Sequence, residues 1–164
     1  MTDVAVPWFF WLFPAAFAIH NIEEGLWLPA WSQSAGRFHK PVGTFEFRFA
    51  VTVLTLVAVV ITAFFYEAGK QSVASYLFFA FDFGMLLNVF VPHAAATIML
   101  RKYCPGLLTV VVLLLPTTAA LLWYGYQNQY FLFSMFWYVT VPFAALVIGS
   151  IPVLFSIGRM IKPS

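Results

Sequence analysis

The stretch His20-Asn21-Ile22-Glu23-Glu24 interrupts an apolar run that begins at Pro7 and closes near Trp31. Trp8 to Ile19 precede it and Gly25 to Trp31 follow it, so the chain reads as membrane helix on both sides. A helix turns about 100° per residue, which sets Glu23 roughly 60° to one side of His20 and Glu24 roughly 40° to the other. Three ionisable side chains therefore share one face. A charge at the centre of a spanning helix costs on the order of 2.5 to 3.5 kcal/mol on insertion scales. Three together demand a partner, a metal ion, a proton or a water-filled cavity.

The composition of the whole chain agrees with a membrane setting. Of 164 residues 63% are hydrophobic and 9% charged, with a mean hydropathy of +0.91. Soluble domains carry about 25% charged residues, so this chain has too little polar surface to face water on all sides. The single cysteine, Cys104, excludes an intramolecular disulfide and any multi-cysteine metal or iron–sulfur site. The net charge of +2 is small, and the partners expected are membrane lipids and a lipophilic small molecule, with no nucleic acid. No repeat or Gly-rich phosphate loop is visible, and residues 1–164 read as one integral membrane domain. Met1 to Pro7 carry Asp3 and no Lys or Arg, so the positive region of a signal peptide is missing.

The first span, about 7–31, is long enough to cross a hydrocarbon core of about 30 Å. Trp8 and Trp11 at one end and Trp27 and Trp31 at the other resemble interfacial belts. Pro14 is a candidate kink, and Pro29 is expected to mark the helix end. A polar loop with Arg37, His39 and Lys40 follows, His39 reading as a surface residue. Further spans are expected at about 45–66, 73–100, 107–125 and 130–157. Glu46, at the entrance of the second, is expected to be solvated or paired with Arg48 or another basic loop residue. The third carries Asp82, Asn88 and His93, and Arg101 to Gly106 reads as a basic turn behind it. The fold class predicted is all-α, a five-helix polytopic membrane bundle.

Five spans put the termini on opposite sides, and the Lys/Arg distribution orients them. Arg37, Lys40, Arg48, Arg101, Lys102, Arg159 and Lys162 fall on one side, and Lys70 alone on the other. The positive-inside rule then predicts an outside N-terminus and a cytoplasmic C-terminus, in a multi-pass protein of the cell inner membrane. In this topology Glu24 lies about seven residues before the inner end of the first span, and His93 about seven before that of the third. At 1.5 Å per residue both sit roughly 10 Å above the inner boundary. Two helices thus offer polar groups at one height. Pro92 removes the hydrogen bond to the carbonyl of Asn88 and is expected to open the third helix there. Asp82, three turns earlier on nearly the same face, is a candidate outer partner or gate.

The ordered set His20-Asn-Ile-Glu23-Glu24, Asn88-Val-Phe-Val-Pro-His93 and Tyr103-Cys-Pro105-Gly106-Leu-Leu-Thr109 resembles the HXXEE-motif family of small, mainly bacterial integral membrane proteins. The resemblance covers roughly Phe13 to Pro116. It implies a helical membrane protein with those polar positions as its hallmark, and no activity comes with it.

Three chemistries fit the residues. His20 and His93 with Glu23 or Glu24 suit one divalent metal ion, Zn or Fe(II), with open coordination positions. Without a metal, two neighbouring carboxylates in low dielectric set a protonated glutamate against a histidine base. Either arrangement, supported by Asn88, makes an intramembrane enzyme that isomerises, cyclises, hydrates or hydrolyses an isoprenoid- or sterol-like substrate. The alternative is a proton- or cation-binding transport or regulatory component without catalysis. A Schiff base is excluded, because no Lys lies within a span; bis-histidine haem fits poorly beside two carboxylates. The charge asymmetry makes the orientation testable. In a Cys104-less background, a cysteine placed near Gln127 is expected to react with an impermeant thiol reagent from outside, and one near Ser34 to be protected. Reversed labelling would invert the topology.

Overall fold

Residues 6–36 and 40–162 are described by the computed structural model, and their regular structure is all helix, with no strand among them. Arg37 and His39 lie outside the described residues. A short 3-10 turn, Trp8–Trp11, leads into α1 (Leu12–Ser32). Then come α2 (Thr44–Ala68), α3 (Val73–Asn88), α4 (Ala95–Leu100), α5 (Leu107–Thr109), α6 (Leu115–Gln127) and α7 (Phe133–Ile161). Widened π-type turns at Val89–Ala94 and Val110–Leu114 join α3 to α4 and α5 to α6. Those pairs run as Val73–Leu100 and Leu107–Gln127, and with α2 and α7 they make four helices long and apolar enough to cross a membrane. The 21 residues of α1 reach about 30 Å, its apolar character diluted by the His20–Glu24 stretch. The molecule is an all-α, multi-pass membrane bundle.

The prolines act through the carbonyls they release. Proline cannot donate to the residue four positions earlier. In α1 the helix continues through Pro29 to Ser32 rather than ending there. The carbonyl that Pro29 leaves free is that of Gly25, and Arg48 Nε of α2 donates to it at 2.8 Å. Arg48 is thus held by α1 and not by Glu46. Glu46 instead folds back over Gly43 at the start of α2, and its Oε2 is buried without a hydrogen-bond partner among the described residues. Pro14 falls in the first turn of α1, where no helical hydrogen bond is lost. Pro92 behaves as expected: Val91 before it leaves helical geometry at φ −135°, ψ 117°, the extended region that a residue preceding proline favours.

α7 packs on α2 and α3, α1 on α2, and α6 on α3. Among the described residues ten phenylalanines are buried, so much of the aromatic content is core rather than lipid-facing surface. Phe10 sits at the centre, with ring centroids of Phe65 and Tyr130 at 5.0 Å and of Phe78 at 5.5 Å, edge to face. Lipid is as apolar as a phenyl ring, so tight packing rather than escape from water holds such a cluster. Truncating Phe10 to Ala would leave a cavity of roughly 100 Å³, worth about 2 kcal/mol at ~24 cal/mol per Å³. Chemical denaturation in detergent is expected to show a loss of that size for Phe10→Ala. Truncation of the exposed Trp8 is expected to cost little.

Candidate metal centre

The His20–Glu24 stretch is a junction at which successive residues face different neighbours. Ile22 points out of the bundle, 61% exposed. Asn21 is buried and donates from Nδ2 to Thr55 Oγ1 at 2.7 Å and to the Val51 carbonyl at 3.3 Å, fastening α1 to α2. His20 and Glu24, one turn apart, face the kinked third span. Glu23, about 100° further round, turns to the segment between the third and fourth spans.

That segment, residues 101–106, does not lie outside the bundle as a basic turn. Arg101 and Lys102 are exposed, but the chain then folds back, and Cys104 is only 1% exposed. Glu23 is what holds it. Its Oε1 accepts from Gly106 N at 3.0 Å and from the Tyr103 hydroxyl. Its Oε2 accepts from Thr109 N at 3.0 Å and from the Thr109 hydroxyl. The backbone donors are the free N–H groups of a helix start. Leu107 N, between them, donates to the Cys104 carbonyl at 3.1 Å, and Leu108 N donates to the Tyr103 oxygen at 3.1 Å. All four amides ahead of the first intrahelical bond, Val110 N to Gly106 O, are therefore satisfied. The carboxylate also meets the positive end of the helix dipole.

The fold-back brings Gly106 against the site. Gly106 has φ +92°, a conformation that disfavours any side chain, and an added Cβ would lie 2.7 Å from both His20 Cε1 and His93 Cε1 and 3.0 Å from Glu24 Cγ. Beneath it the three side chains converge. His93 Nε2 is 3.3 Å from Glu24 Oε1, and His20 Nε2 is 3.7 Å from Glu24 Oε2. One ligand atom from each of His20, Glu24 and His93 lies within 4.8 Å of the others. Both imidazoles are fully enclosed, and Glu24 is 12% exposed. Each ring has a second partner on its far side: His20 Nδ1 lies 3.1 Å from Thr109 Oγ1, and His93 Nδ1 lies 3.8 Å from Cys104 Sγ. The Nε2 edges are left turned toward Glu24. His93 Nε2 is buried without a hydrogen-bond partner among the described residues, despite its closeness to the carboxylate.

Two imidazoles and a carboxylate, each ring braced through its other nitrogen, are the donor set of a three-ligand zinc or iron site. Bonds of roughly 2.0 to 2.2 Å at a tetrahedral angle put neighbouring donor atoms about 3.3 Å apart. The His–Glu separations of 3.3 and 3.7 Å are close to that, and they leave no room for a substrate between the groups. Of the residues singled out in the sequence, His20, Glu24 and His93 are brought together. Glu23 is not among them, since both of its oxygens are occupied elsewhere. Asn88 heads the widened turn and makes no capping hydrogen bond with its side chain. Asp82 is fully buried in α3, eleven residues before His93, with both oxygens unpartnered among the described residues. Tyr103, Cys104, Gly106 and Thr109 stood out in the sequence only as part of the third motif, without a place at the site; their signal was the Pro105-Gly106 pair closing a polar, aromatic turn.

A family profile described as "Protein of unknown function with HXXEE motif" matches residues 11–121. The "Uncharacterized protein YrkK" of Bacillus subtilis (strain 168) is 34% identical over 148 residues, covering 90% of this chain and 94% of that protein. No solved structure matches.

Burial, and after it the Glu24 and Glu23 carboxylates, push the Cys104 thiol up to about 11. Burial and the hydrogen bond to Glu23 likewise raise the Tyr103 hydroxyl, which stays a donor. Because the reactive species is the thiolate, Cys104 is expected to resist iodoacetamide in native protein from pH 7 to pH 9. It should label promptly once the chain is unfolded. Rapid native labelling with a midpoint near pH 8 would mean that the segment is not folded into the bundle.

Proposed function

This chain belongs to the HXXEE-motif family, and we propose that it is an intramembrane enzyme whose His20, Glu24 and His93 hold one divalent metal ion, Zn or Fe(II), and act on a lipophilic substrate. The observation that carries this reading is the convergence of two enclosed Nε2 atoms on one carboxylate, with His93 Nε2 left without a hydrogen-bond partner. A polar atom buried in a bilayer without a partner costs several kcal/mol, and an ion at that point removes the cost. When bound, the ion supplies Lewis acidity and acidifies a coordinated water. The chain's own part is to fix the ligands, exclude bulk water and bring an apolar molecule alongside.

The lipophilic substrate class is supported by a groove of about 690 Å³ beside α1. Ile19, Ile22, Leu26 and Trp27 line it and face outward, toward where lipid lies. Its polar edge is formed by Tyr103, Glu23 and Thr109, one hydrogen bond from His20. A transport path has less support. On the N-terminal side of the site the bundle is filled by Phe13, Phe17, Phe78 and Phe81 in ring contact, and both Asp82 oxygens lack a hydrogen-bond partner among the described residues. With the N-terminus outside, as the charge bias favours, the site lies in the cytoplasmic half of the inner membrane.

Elemental analysis of the purified, metal-replete protein tests the reading. About one Zn or Fe per chain is expected. Glu24→Gln and His93→Ala are expected to lose it while remaining folded. Chelation should lower the melting temperature of the wild type and leave Glu24→Gln unmoved, since a ligand present at about 100 times its Kd stabilises by about 2.7 kcal/mol. Wild-type protein that stays metal-free under those conditions would overturn the metal centre.

A further inference from the structure

We infer that Glu23 and Thr109 form a relay that fixes the tautomer of His20, so that its Nε2 lone pair is presented to a cation at Glu24. The argument is a count of protons. A threonine hydroxyl has one proton to give and two lone pairs to offer. Two acceptors compete for the Thr109 proton: Glu23 Oε2 at 2.5 Å and the Gly106 carbonyl at 3.1 Å. The carboxylate is nearer and charged, and charge-assisted bonds are about twice as strong as neutral ones. A proton given to either of them leaves a lone pair for His20 Nδ1 at 3.1 Å, and the Gly106 carbonyl is itself a hydrogen-bond acceptor for the His20 ring. Nδ1 must then carry the hydrogen.

Neutral imidazole has one N–H, so Nε2 is the bare nitrogen. It faces Glu24 Oε2 at 3.7 Å. A lone pair set against a carboxylate oxygen in a water-poor interior is repulsive unless a proton or a metal cation lies between them. Glu23 and Thr109 are thus positioning residues, acting on the site through His20 and touching no ligand themselves. Glu23 does so from the residue next to Glu24, which separates the two acids of the motif: one directs the histidine, the other faces it. This inference rests on the proposed metal centre for what binds at Nε2, but the tautomer can be read without any metal.

Nitrogen NMR of metal-free protein labelled with ¹⁵N-histidine gives the first readout. The His20 signals are identified by their loss in His20→Gln. Wild type is expected to show His20 protonated at Nδ1 and bare at Nε2. Protonation at Nε2, or at both nitrogens, in the wild type overturns the relay without reference to any variant. Thr109→Ser keeps the hydroxyl and should keep the Nδ1–H form, whereas Thr109→Val should lose it. The second readout is Zn affinity, where partners behind a ligating histidine typically contribute 10- to 100-fold. Thr109→Val is expected to bind Zn about 10- to 100-fold more weakly and Thr109→Ser within a few-fold of wild type. Equal affinities in all three would sink the relay while leaving the metal centre intact. The expected tautomer in a protein that binds no metal would do the reverse.

Discussion

One carboxylate organises the polar interior of this protein. A helix that begins packed against other helices presents four amide N–H groups with no partner in their own helix. The span that starts at Leu107 begins in that situation, and Glu23 takes two of the four amides, from Gly106 and Thr109. It also fixes the Tyr103 hydroxyl, which serves a third through Leu108 N. With each unsatisfied group costing several kcal/mol in hydrocarbon, loss of this one side chain would expose more unpaired polarity than a marginally stable fold can carry. The fold-back of residues 103–106 depends on it. So does the seating of Gly106 against His20, His93 and Glu24, and with it the closed shape of the site.

The same accounting explains why the spans tolerate their prolines. Pro29 frees the Gly25 carbonyl, and Arg48 reaches across from α2 to take it. The cation is thereby tied to α1 one residue beyond the motif, and α1 stays straight enough to carry Trp31 and Ser32 as helix. For the Asn88 carbonyl that Pro92 frees, no such partner stands across the bundle among the described residues. There the chain leaves helical geometry at Val91 and widens, and His93 immediately afterwards is fully buried. One proline is compensated by a neighbouring helix and the other is used as a bend. The difference lies in what stands opposite the freed carbonyl.

The all-α class, built on long apolar helices, was legible because hydropathy over twenty or so residues is a sum of many small contributions and survives local exceptions. The meeting of Glu24 and His93 was legible because depth follows from counting residues along helices of known rise. The division of labour between Glu23 and Glu24 was not. An arc of about 100° separates adjacent helical residues, and sequence places both on one polar side without saying that two different neighbours divide it. The fate of Arg101 to Gly106 was hidden for a related reason. Two exposed basic residues at its start read as an ordinary surface turn, while the burial of Cys104 is decided by Glu23, about 80 positions earlier in the chain. Arg48 was one of several partners expected for Glu46, whereas it is held by a carbonyl made available by a proline on another helix.

The two acids of the motif show the contrast that separates support from chemistry. Glu23 accepts four hydrogen bonds, two at each oxygen, and has nothing left to offer. Glu24 is equally enclosed by the bundle, but it faces two ring nitrogens, and the nearer of them makes no hydrogen bond among the described residues. Stability alone would not favour that arrangement, since a buried carboxylate and a bare imidazole nitrogen each cost energy when unpaired. Replacing the cluster by well-packed apolar residues would stabilise the bundle or leave it unchanged, as happens with buried ion pairs elsewhere. What the fold does instead is seat Gly106, the one residue type without a side chain to fill the space, directly against the three groups. Polarity that is costly to the fold and enclosed on every side is best explained by something that comes to occupy it.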